Sequence, residues 1–266
     1  MQESDLPLKI CKTCNTPKEA IIEAFGRKIK VPIMCKCEEE KYNRQKEEEE
    51  KRDRMMRLER LRNYSLMDAK FEQCTFENFE VDEMNKQFFN LAKKYVEKFD
   101  EMKKQNLGLL LFGAPGTGKT YLAFCIANEL ISKMIPVIAI SSIGLLNRIK
   151  ETYKRYGSEG EVEIINSLKN ASLLILDDLG AENNTDWAKE KIYEIIDSRY
   201  RDGKPIIITT NLSLDQLREK MAGEDRIYRT YDRLVEMCTP IEIKGTARRI
   251  ETAKAKQNLL KDLLGG

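Results

Sequence analysis

Eight consecutive residues, Gly113, Ala114, Pro115, Gly116, Thr117, Gly118, Lys119 and Thr120, carry the spacing G-x-x-x-x-G-K-[ST]. A loop that wraps a phosphate chain with its backbone N–H groups leaves no room for a β-carbon at the glycine positions. A helix starting at Gly118 turns its positive dipole end toward the anion. Lys119 then reaches the β- and γ-phosphates, and the Thr120 hydroxyl ligates Mg2+. These residues suit MgATP binding and hydrolysis. Two further apolar runs end in polar residues. SLLILDDLG ends in Asp177 and Asp178, and carboxylates at the C-terminal end of a buried strand face the ligand crevice of an open α/β sheet. Asp177 would hold Mg2+ through water, and Asp178 would polarise the attacking water. PIIITTNLSL ends in Thr210 and Asn211. An amide there can orient the hydrolytic water; the alternative is a turn asparagine followed by Ser213 as a helix N-cap.

A second constellation lies near the N-terminus. Cys11-x-x-Cys14 and Cys35-x-Cys37 offer four thiolates, enough for a closed tetrahedral structural zinc site. The first spacing is that of a zinc knuckle; the second is tighter. The interval between the pairs suits two short strands carrying Ile21, Ile22, Phe25 and Ile29. So small a segment needs a metal to supply its folding energy. The alternative is four free cysteines. Cys74, Cys125 and Cys238 stand in apolar surroundings and read as core. There is no histidine in the chain, which excludes imidazole as base or ligand.

The 266 residues allow one sizeable α/β domain and a small accessory module. Apolar residues at 41% support a core, and a formal net charge of +2 argues against a histone-like nucleic-acid binder while allowing a local basic groove. No apolar run reaches membrane-spanning length and the first residues do not form a signal peptide, so a cytoplasmic protein is expected. Residues 1–37 read as the zinc-binding module, 38–69 as a charged linker and 70–266 as the nucleotide-binding domain. In the linker, Glu47 with Lys51, Glu48 with Arg52, Glu50 with Arg54 and Asp53 with Arg57 stand four apart, acid first. Each pair supports a helix by roughly 0.2–0.5 kcal/mol, so an exposed helix is expected; the alternative is disorder.

The elements that must position the phosphate site follow from the alternation of apolar runs and amphipathic stretches. Buried strands are expected at 107–112, 137–141, 172–177, 205–210 and 241–243, and helices at 119–134, 143–156, 185–201 and 214–221. Together they predict a parallel sheet flanked by helices. The helix in SSIGLLNRIKETYKRYG presents Arg148, Lys150, Lys154 and Arg155 with Tyr153 and Tyr156. That set suits a groove that tracks single-stranded DNA with base stacking; the alternative is a solvated basic face.

TFENF (75–79), GAPGTGKT (113–120), LLILDDLG (173–180), ITTNLS (208–213), RIYRTYDRL (226–234) and GTARR (245–249) occur in this order. The region 70–250 thereby resembles the AAA+ ATPases, specifically the DnaC/DnaI helicase loaders and their IstB-like branch. The resemblance implies a P-loop AAA+ fold, with Lys119 and Thr120 as the Walker A pair and Tyr121 beside them at the nucleotide. It makes Asp177 and Asp178 Walker B, Asn211 sensor 1 and Arg249 sensor 2, with Arg248 adjacent. Arg233, or Arg229 one turn earlier, would be an arginine finger reaching a neighbouring subunit, which implies a homo-oligomer. Phe76, Asn78 and Phe79 fall at an adenine-side pocket or are plain core. Walker B departs from the usual Asp-Glu, and the residues after Arg249 suffice for one helix, so no separate C-terminal lid domain is expected. The implied cofactors are ATP, Mg2+ and structural Zn2+. The implied partners are a hexameric replicative helicase and single-stranded DNA, with no membrane. The implied activity is ATP-dependent helicase loading with slow, stimulated hydrolysis; the alternative is an IstB-like ATPase assisting DNA transposition.

Overall fold

The computed structural model describes residues 7–24, 26–64, 71, 73–155, 158–223, 226–248, 253, 256 and 257. Phe25, Tyr156 and Arg249, and most of the expected C-terminal helix, lie outside them. The chain divides into two compact units, Met1–Met56 and Arg57–Gly266.

In the first unit, β1 (Glu19–Ala24) and β2 (Arg27–Pro32) pair antiparallel with Ile22 opposite Ile29. This is the short-strand pair expected between the cysteine pairs. Helix α1 (Lys36–Tyr64) follows as 29 continuous residues whose described side chains are almost all exposed. Its composition accounts for this: no Pro or Gly interrupts it, and Lys46 pairs with Glu50 at 4.0 Å.

The second unit is built on a five-stranded parallel sheet. Its strands are β3 (Gly108–Phe112), β4 (Val137–Ser141), β5 (Leu173–Asp177), β6 (Ile206–Thr210) and β7 (Cys238–Glu242), ordered β4-β5-β6-β3-β7. The helices are α2 (Lys86–Glu97), α3 (Phe99–Lys104), α4 (Lys119–Ser132), α5 (Ser142–Arg155), α6 (Ser158–Asn170), α7 (Asp186–Arg201), α8 (Leu214–Lys220) and α9 (Arg229–Met237). Because strand side chains alternate between faces, continuous apolar runs feed two cores at once. Leu109, Leu111, Ala139, Ile175 and Ile207 face α2, α3 and α4; Leu110, Ile138, Ile140, Leu174, Leu176 and Ile208 face α5 to α9. Each fully buried Leu or Ile contributes about 1.5–3 kcal/mol, so both faces lock the sheet that carries the site.

Helix starts are set by capping. Thr185 accepts from the Ala188 N–H at α7, and Ser213 with Gln216 forms a capping box at α8. Arg199 of α7 is fully buried and donates to the carbonyls of Leu168 (2.6 Å), Ala171 (3.2 Å) and Pro205 (2.7 Å). It thereby ties the end of α6 to the entries of β5 and β6. Burial pushes the Arg199 pKa down, and the three carbonyl dipoles compensate its charge. Strand β7 begins earlier than expected and includes Pro240. It lies at the sheet edge, where a missing N–H on the solvent side is tolerated.

Candidate functional site

The C-terminal ends of β3, β5 and β6 converge on one edge of the sheet, where Phe112 pairs with Thr210 and Ser141 with Asp177. From β3 the chain enters the loop 113–118. Gly113 has φ +139°, and a β-carbon there would lie 2.7 Å from the Ile243 carbonyl oxygen. Gly118, at φ +95°, is the N-cap of α4, and nothing lies within 4 Å of where its β-carbon would stand. The first is a glycine forced by neighbouring backbone; the second opens the cradle's interior. Helix α4 has no acidic residue in its first turn and no side-chain cap, so its N-terminal N–H groups suit an anion.

Lys119 is only 5% exposed and curls over the loop, donating to the carbonyls of Gly113 (2.8 Å) and Ala114 (2.7 Å). The Thr117 hydroxyl donates to the Ala114 carbonyl at 3.0 Å. Thr120 is half-buried in the first turn of α4. An open glycine ring, a helix N-terminus without acids and a lysine among carbonyls fit a phosphate chain.

Asp177 ends β5 at 8% exposure, and its Oδ1 accepts from the Thr209 hydroxyl at 2.5 Å. The same hydroxyl accepts from the Asp178 N–H at 2.9 Å. Asp178 has φ +55°, a left-handed conformation that costs a non-glycine residue about 1–3 kcal/mol. It is held at three atoms: its amide by Thr209, its carbonyl by the Ser142 hydroxyl (3.1 Å) and its Oδ1 by the Asn211 amide (2.7 Å). Asn211 is therefore joined to Asp178, and Ser213 is the N-cap of α8. Thr120 and Asp177 offer the oxygen ligands that Mg2+ prefers.

The segments flanking the loop close around it. Phe79 packs against Tyr121 (5.5 Å between centroids) and Phe89 (5.4 Å), whereas Phe76 is buried core. The Asn78 amide donates to the Gln73 carbonyl, a local turn contact. The Arg248 N–H donates to the Gly116 carbonyl at 3.2 Å, while its guanidinium donates to the Glu80 carbonyl (2.6 Å) and Asp82 (2.9 Å). Ala247 and Arg248 thus pack directly on the P-loop.

In the first unit, the four sulfurs of Cys11, Cys14, Cys35 and Cys37 lie within 4.8 Å of one another. Cys35 and Cys37 are 3.3 Å apart and Cys11 and Cys37 3.6 Å. Tetrahedral zinc with Zn–S bonds of about 2.3 Å requires sulfur separations of about 3.8 Å, so the donor set fits Zn2+. The Thr16 hydroxyl at 3.0 Å holds the Cys14 thiol down to about 5, whereas contact with Cys35 pushes Cys37 up to about 12.

The family model of the IstB-like ATP binding protein matches residues 33–256. The chain belongs to this family. Within it, the chain is 32% identical to the replicative helicase loader DnaC of Escherichia coli K12 over 177 residues, 66% of this chain and 70% of the relative. It is 28% identical to the phage-like element PBSX protein XkdC of Bacillus subtilis 168 over 258 residues, 92% of this chain and 86% of that one. The crystal structure of DnaI superposes with a TM-score of 0.57 at 25% identity, covering 69% of this chain and 95% of that one. The second unit is accordingly an AAA+ P-loop domain of the DnaC/DnaI type.

Two sets of expected site residues of this IstB-like domain also make contacts within the chain. Arg233, the preferred finger residue, pairs with Asp197 of the same chain at 2.8 Å. Its guanidinium also lies over Tyr193 (4.8 Å) and Tyr200 (5.6 Å). Residues 36 apart in sequence meet because α9 packs on α7, which no local spacing reveals. Arg229, one turn earlier, is exposed. On α5, Lys150 sits over Trp187 at 4.8 Å, and the Tyr153 hydroxyl donates to Glu161 at 2.7 Å. Both are therefore engaged within the chain. The side chains of Lys154 and Arg155 lie outside the described residues. Thr209 and Ser142 were missed in the sequence: hydroxyls beside apolar strand residues carry no motif, and only the strand pairing brings them to Asp177 and Asp178. Among the described residues no helix is long and apolar enough to cross a membrane.

Proposed function

We propose that this protein is an ATP-switched loader that delivers a ring-shaped replicative helicase to single-stranded DNA. The observation that carries the reading is the phosphate cradle on the same sheet as Asp177, Asp178 and Asn211, in a chain 32% identical over 177 residues to a replicative helicase loader. MgATP, when bound, supplies the phosphoryl group whose hydrolysis resets the switch. Loop 113–118 and the start of α4 would hold the phosphates, and the Lys119 ammonium would balance their charge. Thr120 and Asp177 would hold the metal. Asp178 orients and deprotonates water, with Asn211 fixing its carboxylate. Tyr121 and Phe79 border the base side, and Arg249 follows the segment seated on the P-loop.

The division into residues 1–37, 38–69 and 70–266 assigns a zinc-stabilised docking module, a helical spacer and the ATP- and DNA-sensing domain. Arg229 or Arg233 would supply the finger toward a neighbouring copy, and Arg233 would first have to release Asp197. The family model's IstB-like description supports a second reading, assistance of DNA transposition on duplex DNA. Full-length protein mixed with the replicative helicase, single-stranded DNA and duplex DNA separates the two. Capture of the helicase and preference for single strands is expected; duplex preference without helicase capture favours transposition.

A further inference from the structure

We propose that Thr209 is a positioning residue whose one hydroxyl sets the Asp177 carboxylate and the Asp178 backbone of Walker B, a role resting on the ATP-hydrolysing reading above. Thr209 lies in β6 after three buried isoleucines and is 1% exposed. A hydroxyl at such depth must find partners, and both of its partners belong to the same pair of acids. Its proton goes to Asp177 Oδ1 at 2.5 Å, and its lone pair takes the Asp178 N–H at 2.9 Å. The donor bond fixes the rotation of the Asp177 carboxylate. The acceptor bond fixes the peptide that leads into the left-handed turn at Asp178.

The neighbouring hydroxyl does different work. Thr210 donates to the Leu179 carbonyl at 2.6 Å and accepts from the Leu212 N–H at 3.2 Å, so it holds the loops behind the acids rather than the acids themselves. The Thr209 carbonyl accepts from the Leu179 N–H at 2.8 Å, a bond that survives any side-chain change. The backbone route between β5 and β6 therefore persists when the hydroxyl is removed. Valine has threonine's shape without its hydrogen bonds, and serine keeps the hydroxyl without the methyl group.

The test compares Thr209→Val and Thr209→Ser with the wild type in the full chain, with folding checked by circular dichroism and thermal melting. ATP affinity is measured with EDTA and with Mg2+, and turnover is measured alongside. With EDTA, Thr209→Val should bind ATP as the wild type does, because the P-loop and Lys119 are untouched. The gain in affinity on adding Mg2+ should vanish in Thr209→Val, and turnover should fall about 10- to 100-fold, as for catalytic groups misplaced by a fraction of an ångström to an ångström. Thr209→Ser should keep most of both. Should Thr209→Val fail to fold, Thr209→Cys, whose thiol is a weak donor, replaces it and should show the same losses. A folded Val or Cys variant with the wild-type Mg2+ gain and turnover overturns the proposal, as does a Ser variant as damaged as Val. Lys119→Ala separates the two levels. If it turns over ATP normally, the hydrolytic reading fails and takes this proposal with it. If it is inactive while Thr209→Val behaves as wild type, only the role of Thr209 fails.

Discussion

Asp178 is pinned at its amide, carbonyl and carboxylate by side chains from β6, α5 and the loop after β6. That restraint offsets the strain of its left-handed backbone and leaves one carboxylate aimed by Asn211. Removing its charge should stop chemistry while leaving binding intact: Asp178→Asn should retain ATP affinity and lose at least about 100-fold in turnover, measured by nucleotide titration and phosphate release. Wild-type turnover in that variant would move the water-activating role elsewhere. Lys119→Ala should instead lose ATP binding without unfolding the domain. Because aspartate is a methylene shorter than the usual glutamate, steady-state turnover of the wild type should stay below about 10 s−1. A faster basal rate would contradict a switch.

At the scale of elements, the sequence already showed the phosphate loop, strands β3 to β6 and helices α4, α5, α7 and α8, because these signals are local. A glycine spacing, a buried apolar run and a cap each act within a few residues. Helices α2, α3 and α6 were not read from it: α6 carries Gly160 and a mixed pattern, and α2 and α3 are separated only by Lys98. What stayed hidden at the site is long-range, such as Arg233 with Asp197 and Thr209 with Asp177. Arg199 belongs to this scale as well. Replacing it with Met should cost about 3 kcal/mol or more, because three buried carbonyls lose their donor. Denaturant titration checks this, and a loss under about 1 kcal/mol would show that those carbonyls find other donors. Helix α5 can be tested through salt. Reversing the charges of Lys150 and Lys154 should weaken single-strand binding and flatten its dependence on ionic strength. An unchanged slope would make Lys150 a structural partner of Trp187 alone.

Across the whole molecule, the two units carry different chemistry, a four-sulfur cluster in one and a phosphate site in the other. On the proposed division of labour, Cys35→Ser should release zinc, unfold the small unit and abolish helicase capture, yet leave ATP affinity near normal. Equal damage to both activities would mean one cooperative unit. The most direct test of the account is co-purification of the full-length chain with the replicative helicase of its own host. The account predicts a complex formed by the wild type and by Lys119→Ala, lost in Cys35→Ser, from which only the wild type transfers the ring to single-stranded DNA. A folded, zinc-loaded, ATP-binding chain that captures no helicase ring would contradict it.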